Sequence, residues 1–216
     1  MPELVEGLDA RVAGFARVAG FDARVAGFDA RVAGFDARVA GFDARVAGFD
    51  ARVEEVVERL RGRPGLDRVF YTATAVGDHS LIWLVGAGIR AAISPSYRPA
   101  ATRLAVTLGL ESVLVNGGIK SVFRRQRPAL EGEHPHHIRQ PLTSSFPSGH
   151  ASSAACALVL LADGDPVWPV YSVVAALVAA SRLYVRIHHG SDVVGGVVVG
   201  TLLGLAVRRR FPLSRP

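Results

Sequence analysis

The sequence predicts an all-α protein embedded in a membrane. We expect a helical bundle of about five spans, with the functional site at one membrane face and a heptad-repeat N-terminal arm before the first span. Half of the 216 residues are hydrophobic, 20% are charged, and the mean hydropathy is +0.28. Apolar segments rich in Gly, Ala and Ser recur in the C-terminal two thirds, as in packed membrane helices. The N-terminal quarter, by contrast, repeats one seven-residue unit.

The N-terminal arm, residues 1–52, repeats the unit Asp-Ala-Arg-Val-Ala-Gly-Phe. Valine and phenylalanine alternate at spacings of three and four residues, which is the a/d pattern of a coiled coil and suggests self-association. Each unit also contains a glycine, which costs about 1 kcal/mol relative to alanine inside a helix. Two alternatives therefore stay open, a loosely helical arm and a largely disordered one. We expect no catalytic role for the arm and no signal peptide.

The remaining elements follow from hydropathy and from helix-breaking residues. Residues 53–70 predict a short amphipathic helix that breaks near Gly62 and Pro64. Residues 71–210 form the predicted membrane domain, followed by a tail at 211–216. The spans of this domain are predicted at about 72–93, 102–120, 149–163, 166–185 and 191–208. Five spans would place the arginine-rich arm outside, so the alternative that the first segment does not cross fully stays open. A soluble all-helical domain is the alternative, but five such segments would leave too little amphipathic surface to shield them.

Charge is distributed unevenly, with a net charge of −1 over residues 1–70 and +7 over residues 71–216. An anionic small substrate or a membrane surface fits this basic, apolar part better than nucleic acid does. Three arginines at 208–210 follow the last span and predict a cytoplasmic C-terminus in a bacterial plasma membrane. The connections at 120–148 and 186–191 then lie together on the outer face.

Three polar clusters interrupt the apolar background, each at the start or end of a predicted span. They are residues 120–128 (KSVFRRQRP), 144–150 (SSFPSGH) and 181–192 (SRLYVRIHHGSD). Lys120 is the single lysine among 25 basic residues, which indicates that this position needs an ammonium group. In isolation, the arginines at 124–127 would be interpreted as a charge cluster that flanks the membrane. Together the three clusters predict a phosphate site.

The residue types in these clusters indicate separate chemical roles. Arginine forks and a lysine charge hold a phosphate dianion. Ser148 and Gly149 precede an apolar helix, so their backbone N–H groups are expected to face an oxyanion. His188 and Asp192 are four residues apart, and a carboxylate on one ring nitrogen leaves the other nitrogen free to attack phosphorus. His150 lies on a separate element and is free to protonate the leaving oxygen.

The spacing of the three clusters, K-x6-RP, PSGH and SR-x5-H-x3-D, resembles the signature of the type 2 phosphatidic acid phosphatase family. The superfamily of that family also includes soluble acid phosphatases and vanadium-dependent haloperoxidases. The resemblance covers about residues 70–210 and fills every signature position: Lys120, Arg127, Pro128, Pro147, Ser148, Gly149, His150, Ser181, Arg182, His188 and Asp192.

This resemblance implies a role for each site residue. Phosphate would be bound by three cations and by hydrogen bonds from the start of a helix, that is, by Lys120, Arg127, Arg182, Ser148 and Gly149. His188 would form a phosphohistidine intermediate, Asp192 would orient it, and His150 would act as general acid. Members of the family need no metal, and we expect no cofactor.

The implied function is hydrolysis of a phosphomonoester or pyrophosphate on a lipid, either a polyprenyl or a glycerolipid phosphate. The site would face outside, and membrane lipids would surround the bundle. Two functions of other classes stay open. One is a vanadate-dependent haloperoxidase-like oxidoreductase with the same anion pocket. The other is a non-catalytic membrane scaffold whose repeat arm binds a partner.

Other polar residues are weaker candidates. Asp78 and His79, with Trp83, are expected near the lipid headgroups or along the cleft. Glu111 should face the bundle interior, because a carboxylate facing lipid is costly. Asn116 lies one turn before the lysine and is expected to support it. A metal site is a minor alternative, against a default of loop surface, for a group of carboxylates and histidines in the long connection: Glu131, Glu133, His134, His136 and His137.

Overall fold

The structure, a computed structural model, describes residues 2–129 and 141–213, with side chains described continuously from Gly27. Within these ranges every regular element is a helix, as the sequence predicts. The chain divides into two compact units, Met1–Gly48 and Phe49–Pro216.

The first unit consists of helical repeat units. These repeats lie in helix α1 (Pro2–Glu58), and the first compact unit of the chain ends within that helix, at Gly48. The phenylalanines at 28, 35 and 42 are between 65% and 67% exposed, so one face of the helix presents a regular series of aromatic rings.

The second unit contains the end of α1 and all remaining helices. In chain order these are α2 (Pro64–Gly77), a 3₁₀ turn (Asp78–Ser80), α3 (Leu81–Ile93), a 3₁₀ turn (Pro95–Tyr97), α4 (Arg98–Ser112), a π-helical stretch (Val113–Ile119), α5 (Lys120–Val122), α6 (Gly149–Leu161), α7 (Trp168–Tyr184) and α8 (Gly190–Arg210).

The break that the sequence predicts after the amphipathic segment is confirmed. Helix α1 ends at Glu58, and the chain turns through Gly62, whose φ of +74° favours glycine. Pro64 then starts α2 at a position where its missing N–H is not needed.

The prediction of one continuous span over 72–93 is wrong. Helix α2 ends at Gly77 and α3 begins at Leu81, with His79 (φ 51°) and Ser80 (φ 60°) in the left-handed region between them. This backbone conformation is uncommon for non-glycine residues and ends the regular helix. The turn between the two helices places Asp78 beside the cavity described below.

Helices α6 and α8 pack against each other with unusually close backbones. A Cβ atom added at Gly196 would lie 2.4 Å from the Ser148 carbonyl oxygen, and one at Gly200 would lie 1.9 Å from the Ser152 carbonyl oxygen. A Cβ atom at Gly204 would lie 2.9 Å from the Cβ of Val159. This spacing of one glycine every four residues lets two membrane helices approach closely. It also fixes the N-termini of α6 and α8 side by side.

The second unit has an apolar core between its helices. The principal core cluster lies between α3, α4, α6 and α7 and includes Trp83, Leu104, Leu108 and Val178. Trp83, which the sequence suggested near headgroups or cleft, is therefore a core residue. Among the described residues, α8 alone is long and apolar enough to cross a membrane by itself, and α6 and α7 are shorter apolar helices.

Candidate active site

A cavity of about 1280 Å³ opens in the second unit beside the N-terminus of α6. It is lined from α2, from the turn after it, from the end of α4 and from the connections that precede α6 and α8. Six of the eight predicted site residues line this cavity: Lys120, Arg127, Gly149, His150, Arg182 and His188. Ser148 and Asp192 are fully buried directly behind it. The structure thus brings the three sequence clusters together.

His188 lies in the short connection between α7 and α8, 3% exposed. Its Nδ1 faces the Oδ2 atom of Asp192 at 3.5 Å, and its Nε2 is 3.3 Å from Nη1 of Arg127, which lines the cavity. Burial lowers the pKa of His188, against the opposing effect of Asp192, so the ring is neutral at physiological pH. A neutral imidazole oriented in this way has one nitrogen directed at the cavity and available as a nucleophile.

Asp192 is held by three further groups. Its Oδ1 accepts a hydrogen bond of 2.6 Å from Nη1 of Arg125, and its Oδ2 accepts one of 2.8 Å from the backbone N–H of His189. His189 is the N-cap of α8, and its exchange of bonds with Asp192 forms a capping box. The backbone carbonyl of Asp192 also accepts a hydrogen bond from the N–H of Ser148 at 2.9 Å. The carboxylate is therefore fixed before any substrate binds.

The three cations predicted to bind phosphate all line the cavity. Arg127 donates to the backbone carbonyls of Pro141, Thr143, Ser144 and Ile187 at 3.1–3.2 Å. Lys120 is 9% exposed and donates to Oδ1 of Asn116 at 2.8 Å, which confirms the predicted support from that side chain. Arg182 is 5% exposed and donates to Oγ1 of Thr74. Guanidinium forks and an ammonium group around one cavity form a binding site for a phosphate dianion.

The protonation state of Lys120 depends on its burial and on the arginines beside it. Burial, together with the positive charges of Arg127 and Arg182, lowers the pKa of Lys120 to about 8. A bound dianion would offset both effects and favour the ammonium form. The lysine is therefore sensitive to alkaline pH before substrate binds.

Helix α6 points its N-terminus at the cavity. Ser148 is the N-cap, and its Oγ accepts a hydrogen bond from the N–H of Ala151 at 3.4 Å. The prediction that the Ser148 amide faces an oxyanion is wrong, because that N–H already donates to the carbonyl of Asp192. Gly149 remains on the cavity wall, where an added Cβ would lie 3.8 Å from Nζ of Lys120. The amides of the first helical turn have no partner within the helix and carry its positive dipole end.

His150 faces the cavity from the first turn of α6. Its Nε2 is 2.9 Å from Oδ1 of Asp78, in the 3₁₀ turn after α2. The contact with His150 lowers the pKa of the Asp78 carboxyl, so Asp78 is ionised at neutral pH. Asp78 and His79 both line the cavity, in agreement with the expected place along the cleft.

Glu111 is 2% exposed and lines the cavity from α4, so the prediction that it faces the bundle interior is confirmed. The weaker metal candidates Glu131, Glu133, His134, His136 and His137 lie outside the described residues. Within the described ranges, no group of three or more His, Cys, Asp or Glu side chains is arranged to hold a metal ion.

Sequence reasoning missed three residues that contact the site. Arg125 was included in a charge cluster thought to flank the membrane, whereas its side chain bonds to Asp192. Asp50, which begins the incomplete unit that follows the last full repeat, bonds to Arg125 and Ser191. Thr74 accepts from Arg182. Only Arg125 had a sequence signal, since it lies two residues before Arg127.

Known protein sequences resemble this chain over the region of the site. A family model described as the PAP2 superfamily matches residues 100–215. The decaprenylphosphoryl-5-phosphoribose phosphatase of Mycolicibacterium smegmatis is 37% identical over 143 residues, which cover 63% of this chain and 74% of that protein. Phosphatidylglycerophosphatase B of Bacillus subtilis is 30% identical over 164 residues, which cover 68% of this chain and 75% of that protein.

Two solved structures resemble the fold. One is the crystal structure of a transmembrane PAP2 type phosphatidylglycerolphosphate phosphatase from Bacillus subtilis, with a TM-score of 0.62 and 28% identity, covering 79% of this chain and 90% of that chain. The other is Aquifex aeolicus LpxE, with a TM-score of 0.60 and 22% identity, covering 74% of this chain and 94% of that chain. The second likeness concerns the fold alone.

Proposed function

This chain belongs to the PAP2 superfamily, and from that premise we propose that the cavity is the active site of a membrane lipid phosphatase with His188 as its nucleophile. The chain is a lipid phosphatase, as its curated relatives are. One observation supports the role of His188 most directly. Its Nδ1 faces the fixed carboxylate of Asp192, while its Nε2 lies beside Arg127 at the cavity wall.

In the first step, Nε2 of His188 attacks phosphorus and forms an N–P bond while the P–O bond to the lipid breaks. Lys120, Arg127 and Arg182 stabilise the charge on the equatorial oxygens. His150 gives its proton to the departing lipid oxygen. Asp78, 2.9 Å from Nε2 of His150, supplies a carboxylate that stabilises the proton on that ring before transfer.

In the second step, water attacks phosphorus and the N–P bond breaks. His150, now neutral, takes a proton from the water molecule. Inorganic phosphate leaves, and His188 returns to its neutral form. Asp192 stabilises the positive charge that the His188 ring carries while phosphorus is bonded to it.

The substrate that we propose is a phosphate carried on a polyprenyl lipid, ahead of a glycerolipid phosphate. The relative that is 37% identical is named for decaprenylphosphoryl-5-phosphoribose, and phosphatidylglycerophosphatase B is 30% identical. A cavity of about 1280 Å³ has space for a polar headgroup besides the phosphate. Glu111, Asn116 and His79 supply polar atoms along its wall.

The protein is a membrane protein, and we propose that it lies in a bacterial plasma membrane with the cavity facing outside and with about five spans. Self-association through the Val/Phe seam of the arm is a further proposal, supported by the exposed rings at 28, 35 and 42. Analytical ultracentrifugation of the full chain in detergent, compared with a variant in which these three phenylalanines are replaced by serine, tests that proposal.

The catalytic proposal is tested by phosphate release from detergent-purified protein with EDTA present. The panel includes polyprenyl pyrophosphate, decaprenylphosphoryl-5-phosphoribose, phosphatidic acid and phosphatidylglycerol phosphate. His188→Ala should lower the rate by at least about 10³-fold. His189→Asn is the matched control, since asparagine also caps a helix, and it should retain the rate. An acid-labile phosphoenzyme should form in the wild type and be absent in His188→Ala.

Other results would favour other functions. Turnover by His188→Ala would contradict the assigned nucleophile. Release from no lipid by folded wild-type protein would favour the scaffold function, and halide oxidation with bound vanadate would favour the haloperoxidase function.

A further inference from the structure

The C-terminal end of helix α1 contacts the first turn of α8, immediately beside the catalytic groups. Asp50 is 8% exposed. Its Oδ1 accepts a hydrogen bond of 2.7 Å from the backbone N–H of Ser191, and its Oδ2 accepts one of 2.9 Å from the Ser191 hydroxyl. Phe49 and Val53 pack against Gly190, where an added Cβ would lie 3.0 Å from both side chains. This end of α1 is therefore seated on the segment that carries Asp192.

Arg125 joins Asp50 to the active site. Its Nη2 donates to Oδ2 of Asp50 at 2.5 Å, and its Nη1 donates to Oδ1 of Asp192 at 2.6 Å and to Oγ of Ser191 at 2.6 Å. One guanidinium fork thus binds two buried carboxylates at once. The two nitrogens of a planar fork have a fixed separation, so the position of one carboxylate constrains the other.

This arrangement determines which oxygen of Asp192 faces the nucleophile. Arg125 occupies Oδ1, so Oδ2 is left for His188 and for the N–H of His189. Without the charge of Asp50, the guanidinium would have a single carboxylate partner and would be free to rotate toward both oxygens of Asp192. It would then compete with His188 for Oδ2, and the imidazole would lose the group that orients it.

We propose that Asp50 is a positioning residue for the phosphatase reaction, acting through Arg125 to hold the Asp192 carboxylate toward His188. The inference rests on the proposed roles of His188 and Asp192. It extends the catalytic apparatus into the incomplete unit at the end of the repeat, which lies outside residues 100–215 that match the family model. The sequence Asp-Ala-Arg-Val occurs both at 43–46 and at 50–53, yet Asp43 is exposed and Asp50 is buried.

The repeat supplies a matched control for the test. Asp43 has the same neighbours in sequence as Asp50 but is exposed. Asp50→Asn should lower kcat between about tenfold and a hundredfold, as expected for a displaced catalytic group, with KM changed less than twofold because the phosphate ligands are untouched. Asp43→Asn should have wild-type kcat and KM. An unchanged kcat in Asp50→Asn would overturn the proposal.

A double-mutant cycle separates positioning from general destabilisation. In an Asp192→Asn background, Asp50→Asn should cause no further loss of kcat, because the group through which it acts is already altered. An equal loss in both backgrounds would overturn the proposal. Wild type and His188→Ala run alongside, so a failure of the phosphohistidine mechanism is recognised independently of the Asp50 result.

Arg125→Lys keeps the proposal testable if Asp50→Asn does not fold. Lysine retains the positive charge but, as a point charge, cannot bind both carboxylates in the fixed geometry of a fork. Its kcat should fall by a similar factor, with KM retained, and a wild-type kcat would overturn the inference.

Discussion

At the scale of single residues, Lys120 connects burial with a measurable pH dependence. Burial beside Arg127 and Arg182 lowers its pKa to about 8, so the free enzyme loses this charge as the pH rises above 8. We expect kcat/KM to fall at alkaline pH, approaching about tenfold per pH unit once Lys120 is mostly neutral. Since arginine stays protonated in proteins, the Lys120→Arg variant should not show this fall in kcat/KM at alkaline pH, even if the variant is slower than the wild type. Values of kcat/KM measured between pH about 6.5 and about 10 test this prediction. The same fall in the variant would assign the pH dependence to another group.

The residues around the phosphate site could be predicted because each motif combines a residue type with a fixed spacing. Arg125 and Asp50, which hold Asp192 in place, were not predicted. Arg125 is one of several arginines in an irregular segment, and the direction of its side chain depends on tertiary structure. From three residues before to three residues after, the sequence around Asp50 is the same as that around Asp43, so a pattern of this length does not distinguish the buried carboxylate from the exposed one.

At the scale of elements, the contact between α6 and α8 holds the two halves of the active site together. Gly200→Ala would place a Cβ atom 1.9 Å from the Ser152 carbonyl oxygen, so the helices must separate. We expect a loss of about 1–3 kcal/mol in stability, measured as a lower Tm in detergent, and a lower kcat because Asp192 and His150 start these helices. Gly86→Ala in α3 is the control, since nothing lies within 4 Å of its added Cβ. A Tm for Gly200→Ala equal to that of Gly86→Ala would contradict the close packing.

Helix bounds were predictable where hydropathy determines them. The bounds of α6, α7 and α8 lie within two residues of the apolar segments. The division of 72–93 was not predictable, because His79 and Ser80 adopt positive φ values in a stretch whose composition suits a helix. The contact between Asp78 and His150 joins residues 72 positions apart, which a local window does not detect.

At the scale of the whole second unit, large apolar side chains are exposed on the outer surface while charged side chains of the site are buried. Leu81, Val85, Ile89 and Ile93 are exposed at intervals of four residues along α3, whereas Arg182 and Asp192 are buried. An exposed apolar row on one helix, together with buried charges, suits a hydrocarbon surrounding, where exposed charges are costly.

The same distribution predicts the orientation in the membrane. Helices α6 and α8 both begin at the cavity, and at their other ends Arg103 donates to the carbonyls of Leu160 and Phe211 at 3.0 Å. The arginines at 208–210 lie at that end as well. Because positively charged loops stay in the cytoplasm, this end should be cytoplasmic and the cavity should face outside.

Cysteine labelling in intact cells tests this orientation with little background, because the one native cysteine, Cys156, is buried. Leu142 is fully exposed on the cavity side, and Asp163 is exposed just beyond the far end of α6. Helix α6 has 13 residues, so the cavity side and the far end of this helix are about 20 Å apart. A membrane-impermeant maleimide should label Leu142→Cys in intact cells but label Asp163→Cys only after permeabilisation. The opposite pattern would place the active site in the cytoplasm, and the lipid substrate would then have to be dephosphorylated on the inner leaflet.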